Sequence, residues 1–174
     1  MSTYVSALLL FLPAGIANAV PVLVKKIPGL SKLNAPLDGG VTFRGKRLLG
    51  ANKTWRGLIS GTLVSGFIAW LLYPRLGIDT GTTLQGIALG CAIGFGALIG
   101  DAVESFFKRQ KEIPSGSSWL LFDQLDYVIG ALVFSIPFVR LAGIDYVLVI
   151  LTYFVLHFIV SYLGFLLGLK DKPI

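Results

Sequence analysis

The residues that could do chemistry in this chain fall into two groups. Asp101, Glu104, Ser105 and Lys108 follow one another at spacings of three and four, which bring side chains to one face if the segment is helical. Asp123 and Asp126, three apart, form a second acidic pair. Converging carboxylates suit Mg²⁺, a hard ion that keeps several waters and favours phosphate oxygens. The other group is the run Asp38–Gly57. Its glycines permit tight turns and close approach to a ligand, and Lys46, Arg47, Asn52, Lys53, Thr54 and Arg56 are donors of the kind that hold phosphate. Lys53-Thr54 lacks the G-x-x-x-x-G-K spacing of a P-loop. Such a basic loop also serves simply to enforce topology and to touch anionic lipid. For Glu104, Lys111 and Glu112 we expect solvated salt bridges such as Glu104–Lys108. For Asp101, Asp123 and Asp126 a functional role is the favoured reading.

What positions these residues is an apolar frame. The 174 residues are 55% hydrophobic and 14% charged, against about 25% charged in a soluble domain. Five apolar segments run from about Tyr4 to Val24, Gly57 to Tyr73, Thr82 to Gly100, Tyr127 to Val139 and Tyr146 to Leu169. In hydrocarbon the backbone must satisfy itself, so each is expected to be a helix. The fold class is therefore an all-α integral membrane protein of about five transmembrane helices in one domain, 1–174. The first segment resembles a signal peptide at Ala17-Asn18-Ala19, but no basic residues precede it and the apolar run continues to Val24, so it reads as a retained helix.

Thirteen of the 15 basic residues lie in the loop 25–56, after the third segment, or in the tail at Lys170 and Lys172. Five spans put all three regions on one side, and the positive-inside rule makes that side cytoplasmic, with the N-terminus outside. The segment 101–126 then faces the loop 25–56 across the same membrane surface. Only 13 residues separate Asp126 from Arg140, about 20 Å of helix against a core of about 30 Å. Asp126, and with it Asp123, is pulled to the membrane boundary, where a carboxylate is costly unless paired or bound to a cation.

The remaining features are quieter. A net charge of +6 placed between apolar segments points to lipid headgroups and anionic substrates, not nucleic acid. One cysteine, Cys91, excludes an internal disulfide, and no Cys/His cluster suggests zinc. Gly86, Gly90 and Gly94 offer a smooth face for a neighbouring helix. His157 is expected to pack and hydrogen-bond between helices, and Asn18 to satisfy a carbonyl freed by Pro21.

The pattern Gly100-Asp101-x-x-Glu104-Ser105-x-x-Lys108-Arg109, followed by Asp123-Gln124-x-Asp126, resembles the signature of CTP-dependent cytidylyltransferases of membrane lipids. Phosphatidate cytidylyltransferases carry Arg where this chain has Gln124, and a His-Gly-Gly that it lacks. The loop Asp38-Gly-Gly…Asn52-Lys53-Thr54-Trp55-Arg56-Gly57, with Asn18-x-x-Pro21 before it, is instead similar to the archaeal branch, the CDP-archaeol synthases. The resemblance covers nearly the whole chain. It implies an enzyme that joins CTP to 2,3-di-O-geranylgeranylglycerol 1-phosphate with Mg²⁺, giving CDP-archaeol and pyrophosphate. It also implies Asp101, Asp123 and Asp126 as metal ligands and Lys108, Arg109 and Lys53 as phosphate holders. Ser105, Thr54 and Arg56 would support the nucleotide or the lipid phosphate. The expected setting is the cell membrane, with a cytoplasmic site, lateral access for the lipid, and assembly with further copies of the chain left open. A transporter would instead place ionisable residues near mid-membrane. A CDP-alcohol phosphotransferase would carry an Asp-Gly-x-x-Ala-Arg motif that is absent, and a scaffold would leave the aspartates without a purpose. A phosphatidate cytidylyltransferase acting on acyl lipids is the nearest enzymatic alternative.

Overall fold

Long apolar runs become helices in the computed structural model, which describes residues 3–25, 27–115, 117–166 and 168. Helices α1 (Thr3–Leu10) and α2 (Leu12–Val24) together form the first span, followed by α3 (Trp55–Leu72), α4 (Thr83–Gln110), α5 (Phe122–Ser135) and α6 (Gly143–Leu166). Among the described residues, four spans are long and apolar enough to cross a membrane: Tyr4–Val24, α3, α4 and α6. The 14 residues of α5 reach about 21 Å, so this helix is short, as the spacing from Asp126 to Arg140 requires. It starts earlier than its apolar run and takes Asp123 and Asp126 into its first turns. Lys26, Leu169, Lys170 and Lys172, used above for span ends and charge placement, lie outside the described residues.

The break between α1 and α2 follows from Pro13, which has no N–H to give to the preceding turn and whose ring crowds the carbonyl four residues back, so it is tolerated only in the first turn of α2. Carbonyls near the break still need donors in a bilayer. Tyr73 Oη donates to the Leu10 carbonyl at 2.8 Å and Tyr153 Oη to that of Leu8 at 2.9 Å. Tyr73 is buried in the core with Phe11, Ile93, Val128 and Val149.

Helix α4 sits between neighbours on two glycine faces. On one, Gly90 and Gly94 lie against Ser65 and Ala69 of α3, so the four-residue glycine stripe does admit close packing there. On the other, Gly96 and Gly100 face Gly130 and the Asp126 backbone of α5. His157 lies beside the Tyr127 ring, with centroids 5.9 Å apart.

At one end of the bundle the segment 27–54 folds over the end of α4. Strands β1 (Thr42–Phe43) and β2 (Lys46–Arg47) make a short hairpin. Its turn residues Arg44 and Gly45 both have positive φ, 54° and 75°, matching the backbone twist of a two-residue hairpin. Lys46 Nζ donates to the Gln110 carbonyl at 2.8 Å and pairs with Glu112 at 2.9 Å, while Asn52 Nδ2 donates to Ser115 Oγ at 2.8 Å. The basic loop and the acidic helix ends therefore meet at one end of the bundle.

Candidate active site

Two features of the chain build the acidic centre. Helix α4 continues past Gly100 to Gln110, so Asp101, Glu104, Ser105 and Lys108 stand on successive turns. Gly100 has no side chain to hold α5 away, and the carbonyl carbon of Asp126 lies 2.8 Å from where a Cβ would stand. Asp126 is thereby brought beside Asp101. One carboxylate oxygen from each of Asp101, Glu104 and Asp126 falls within 4.8 Å of the others. An all-oxygen set of this kind fits a hard divalent cation such as Mg²⁺.

Two lysines from different segments face the carboxylates. Lys53 Nζ, from the basic loop, lies 2.6 Å from Asp101 Oδ2. Lys108 Nζ pairs with Glu104 Oε1 at 2.9 Å and with Asp123 Oδ1. Four carboxylates against two ammonium groups leave a formal excess of two negative charges, which a divalent ion would neutralise. Asp123 lies outside the trio. Its Oδ2 accepts the Trp119 backbone N–H at 2.9 Å, and its Oδ1 holds Lys108. Glu104 needs a correction: it does bridge Lys108, but it is buried, with a side chain only 5% exposed, and not solvated. Its three-residue spacing from Asp101 is the signal that could have marked it.

The phosphate-type donors surround this centre. Arg56 is buried at the start of α3, and its Nε has no hydrogen-bond partner among the described residues; the same holds for Arg109 Nε. Buried guanidinium N–H groups without acceptors are uncommon, because the desolvated donor is costly. Thr54 caps α3, its Oγ1 accepting the Gly57 N–H at 3.2 Å. Ser105 is buried on α4. A cleft of about 40 Å³ opens where Pro21, Asn52, Lys53, Thr54, Leu98 and Asp101 meet. Asp38, quoted above only as part of the loop, is a buried acid outside this centre. Arg47 beside it holds its carboxyl well below the usual carboxylate range.

The comparisons with known proteins agree with one another. The family profile of CarS-like CDP-archaeol synthases matches residues 1–174. A CDP-archaeol synthase of Thermococcus kodakarensis is 36% identical over 163 residues, covering 93% of this chain and 91% of that one. One from Thermofilum pendens is 36% identical over 170 residues, covering 96% and 79%. A solved structure described as an intramembrane enzyme for archaeal membrane lipids biosynthesis superposes with a TM-score of 0.74 at 34% identity, over 89% of this chain and 92% of that one.

Proposed function

Since the chain belongs to the CDP-archaeol synthase family, we propose that it transfers CMP from CTP to 2,3-di-O-geranylgeranylglycerol 1-phosphate, releasing pyrophosphate. The observation that carries this reading is the carboxylate trio Asp101, Glu104 and Asp126, set against Lys53 and Lys108 at one end of the helix bundle. Asp101, Glu104 and Asp126 would hold Mg²⁺, which, when bound, neutralises phosphate charge and stabilises the leaving pyrophosphate.

The chain's own residues do the rest. An oxygen of the lipid phosphate attacks the α-phosphorus of CTP, and the bond to the β-phosphate oxygen breaks. The attacking phosphate, with a second pKa of about 6, is already largely ionised, so no side chain has to act as a strong base. The task is to gather anions and align them. Lys53, Lys108, Arg56 and Arg109 supply cationic donors, with the two free Nε–H groups offered to phosphate oxygens. Asp123 orients Lys108 toward the acidic centre and is itself held by the Trp119 N–H. Ser105 and Thr54 flank the phosphates. The site faces the cytoplasm, because the basic loop 25–56 and the residues after α4 share that side. The N-terminus is then outside and the C-terminus inside. The lipid reaches the site laterally from the bilayer with its headgroup at the interface.

The test uses purified protein in nanodiscs, CTP labelled in its α-phosphate, Mg²⁺, and either the isoprenoid ether lipid phosphate or phosphatidate. Labelled CDP-lipid is expected, with preference for the ether lipid. No CDP-lipid from either phosphate would refute the reading.

A further inference from the structure

Asp38 takes no part in the acidic centre, yet it is the one acidic residue of the basic loop 25–56 and accepts five hydrogen bonds there. Its side chain is fully enclosed, 0% exposed, while Gly39 through Gly45 around it are exposed. It accepts backbone N–H groups from Gly40 at 3.0 Å, Leu49 at 3.0 Å and Gly50 at 3.1 Å. It also accepts both Nε of Arg47 at 3.2 Å and Nη2 at 2.7 Å, a two-pronged charge-assisted pair.

These bonds close the loop at its base. Asp38 precedes the β1–β2 hairpin and Arg47 ends it, so the carboxylate ties residue 38 to residues 47–50 across its base. Beside this knot a second pairing continues: Leu37 N–H donates to the Lys53 carbonyl at 2.7 Å and Trp55 N–H to that of Ala35 at 3.1 Å. The stretch 49–53 is thus gripped at both ends, and Lys53 at its far end reaches Asp101. At its near end Gly50 backs onto the Arg109 side chain, 3.7 Å from where a Cβ would stand. The loop needs such a grip. Gly39, Gly40, Gly45 and Gly50 all have positive φ, and glycine-rich chain loses more backbone freedom on ordering than any other. A carboxylate meeting five donors selects one arrangement of it.

We propose that Asp38 is a positioning residue for CTP: it holds residues 47–53 as a fixed wall, so that Lys53 and Arg109 meet the triphosphate beside the acidic trio. This rests on the functional reading above. Removing one partner of such a pair leaves the other charge and the backbone donors without their acceptor and lowers stability, whereas donors that must align phosphates lose function steeply when displaced, so the two effects are separated by which KM changes.

The experiment compares Asp38→Asn and Asp38→Ala with the parent, varying CTP and lipid phosphate separately. KM for CTP is expected to rise about tenfold or more while KM for the lipid phosphate stays within about twofold, since only the nucleotide wall moves. Thermal unfolding in detergent should shift downward for both variants, less for Asp38→Asn, whose amide oxygen still accepts backbone N–H groups. A second readout needs no turnover. In a Cys91→Ser background, Asn52→Cys and Ser115→Cys replace the loop-to-loop hydrogen bond, and Asp38→Asn should slow their disulfide formation several-fold. Absence of CDP-lipid from the parent would count against the functional reading, while the cross-linking rate still judges the loop. An unchanged CTP KM with an unchanged cross-linking rate overturns the proposal. So does an equal rise of both KM values, which marks a structural role alone.

Discussion

Gly100→Ala is the sharpest probe of how the acidic centre is assembled. The change adds one methyl group, far smaller than any substitution of a charged residue. Its Cβ would meet the carbonyl group of Asp126, with the carbonyl carbon at 2.8 Å and Gly130 Cα at 3.3 Å. The obstacle is backbone on a packed helix, so no side chain can rotate away. The carbonyl oxygen of Asp126 stands nearer still than its carbon, so reaching the 3.4 Å of ordinary contact requires α5 to retreat by about 1 Å or more at Asp126, whereas metal–ligand distances hold to about 0.2 Å. Overpacking of this kind costs about 1–3 kcal/mol of stability. A misplacement approaching 1 Å at a reacting centre costs about 10²-fold in rate. The variant should therefore fold, with a lowered unfolding temperature, and turn over about 10²-fold more slowly per folded molecule. It should also need more Mg²⁺ for half-maximal rate. Gly15→Ala is the control, since a Cβ there meets nothing within 4 Å. If Gly100→Ala keeps parental kcat and Mg²⁺ dependence, the view that this glycine seats Asp126 beside Asp101 is refuted.

Two further predictions follow from the same geometry. Glu104→Gln should raise the Mg²⁺ concentration needed for half-maximal rate more than Asp123→Asn does, because Glu104 belongs to the trio and Asp123 holds Lys108 instead; a titration of initial rate against Mg²⁺ in which Asp123→Asn shows the larger shift reverses the assignment. Tyr73→Phe should cost about 1–3 kcal/mol by removing the donor to the Leu10 carbonyl at the helix break, and Tyr153→Phe less, because the Leu8 carbonyl keeps the Phe11 N–H. Thermal unfolding in detergent orders the pair, and equal effects would refute the account of the break.

The membrane class, the approximate span ends and the shortness of α5 were legible because they depend on chain length against bilayer thickness, a one-dimensional comparison. The acidic motif was legible in part. Spacing along one helix places Asp101, Glu104, Ser105 and Lys108 on a shared face, and the continuation of α4 to Gln110 puts them there. Spacing along the chain does not say which carboxylate from a second helix will face them. That depends on where α4 and α5 cross, and the crossing is set by Gly96, Gly100 and Gly130, whose missing side chains let the two backbones touch. The crossing brings Asp126 into the trio and leaves Asp123 to Lys108. Glu104 looked like an ordinary surface partner of Lys108 because burial is not written in a local salt-bridge spacing. Asp38 had no role of its own in the sequence, since its five donors come from positions up to 12 residues away and converge only when the loop closes. The sequence alone determined which residues could meet at this end of the membrane, and tertiary packing decided which of them do.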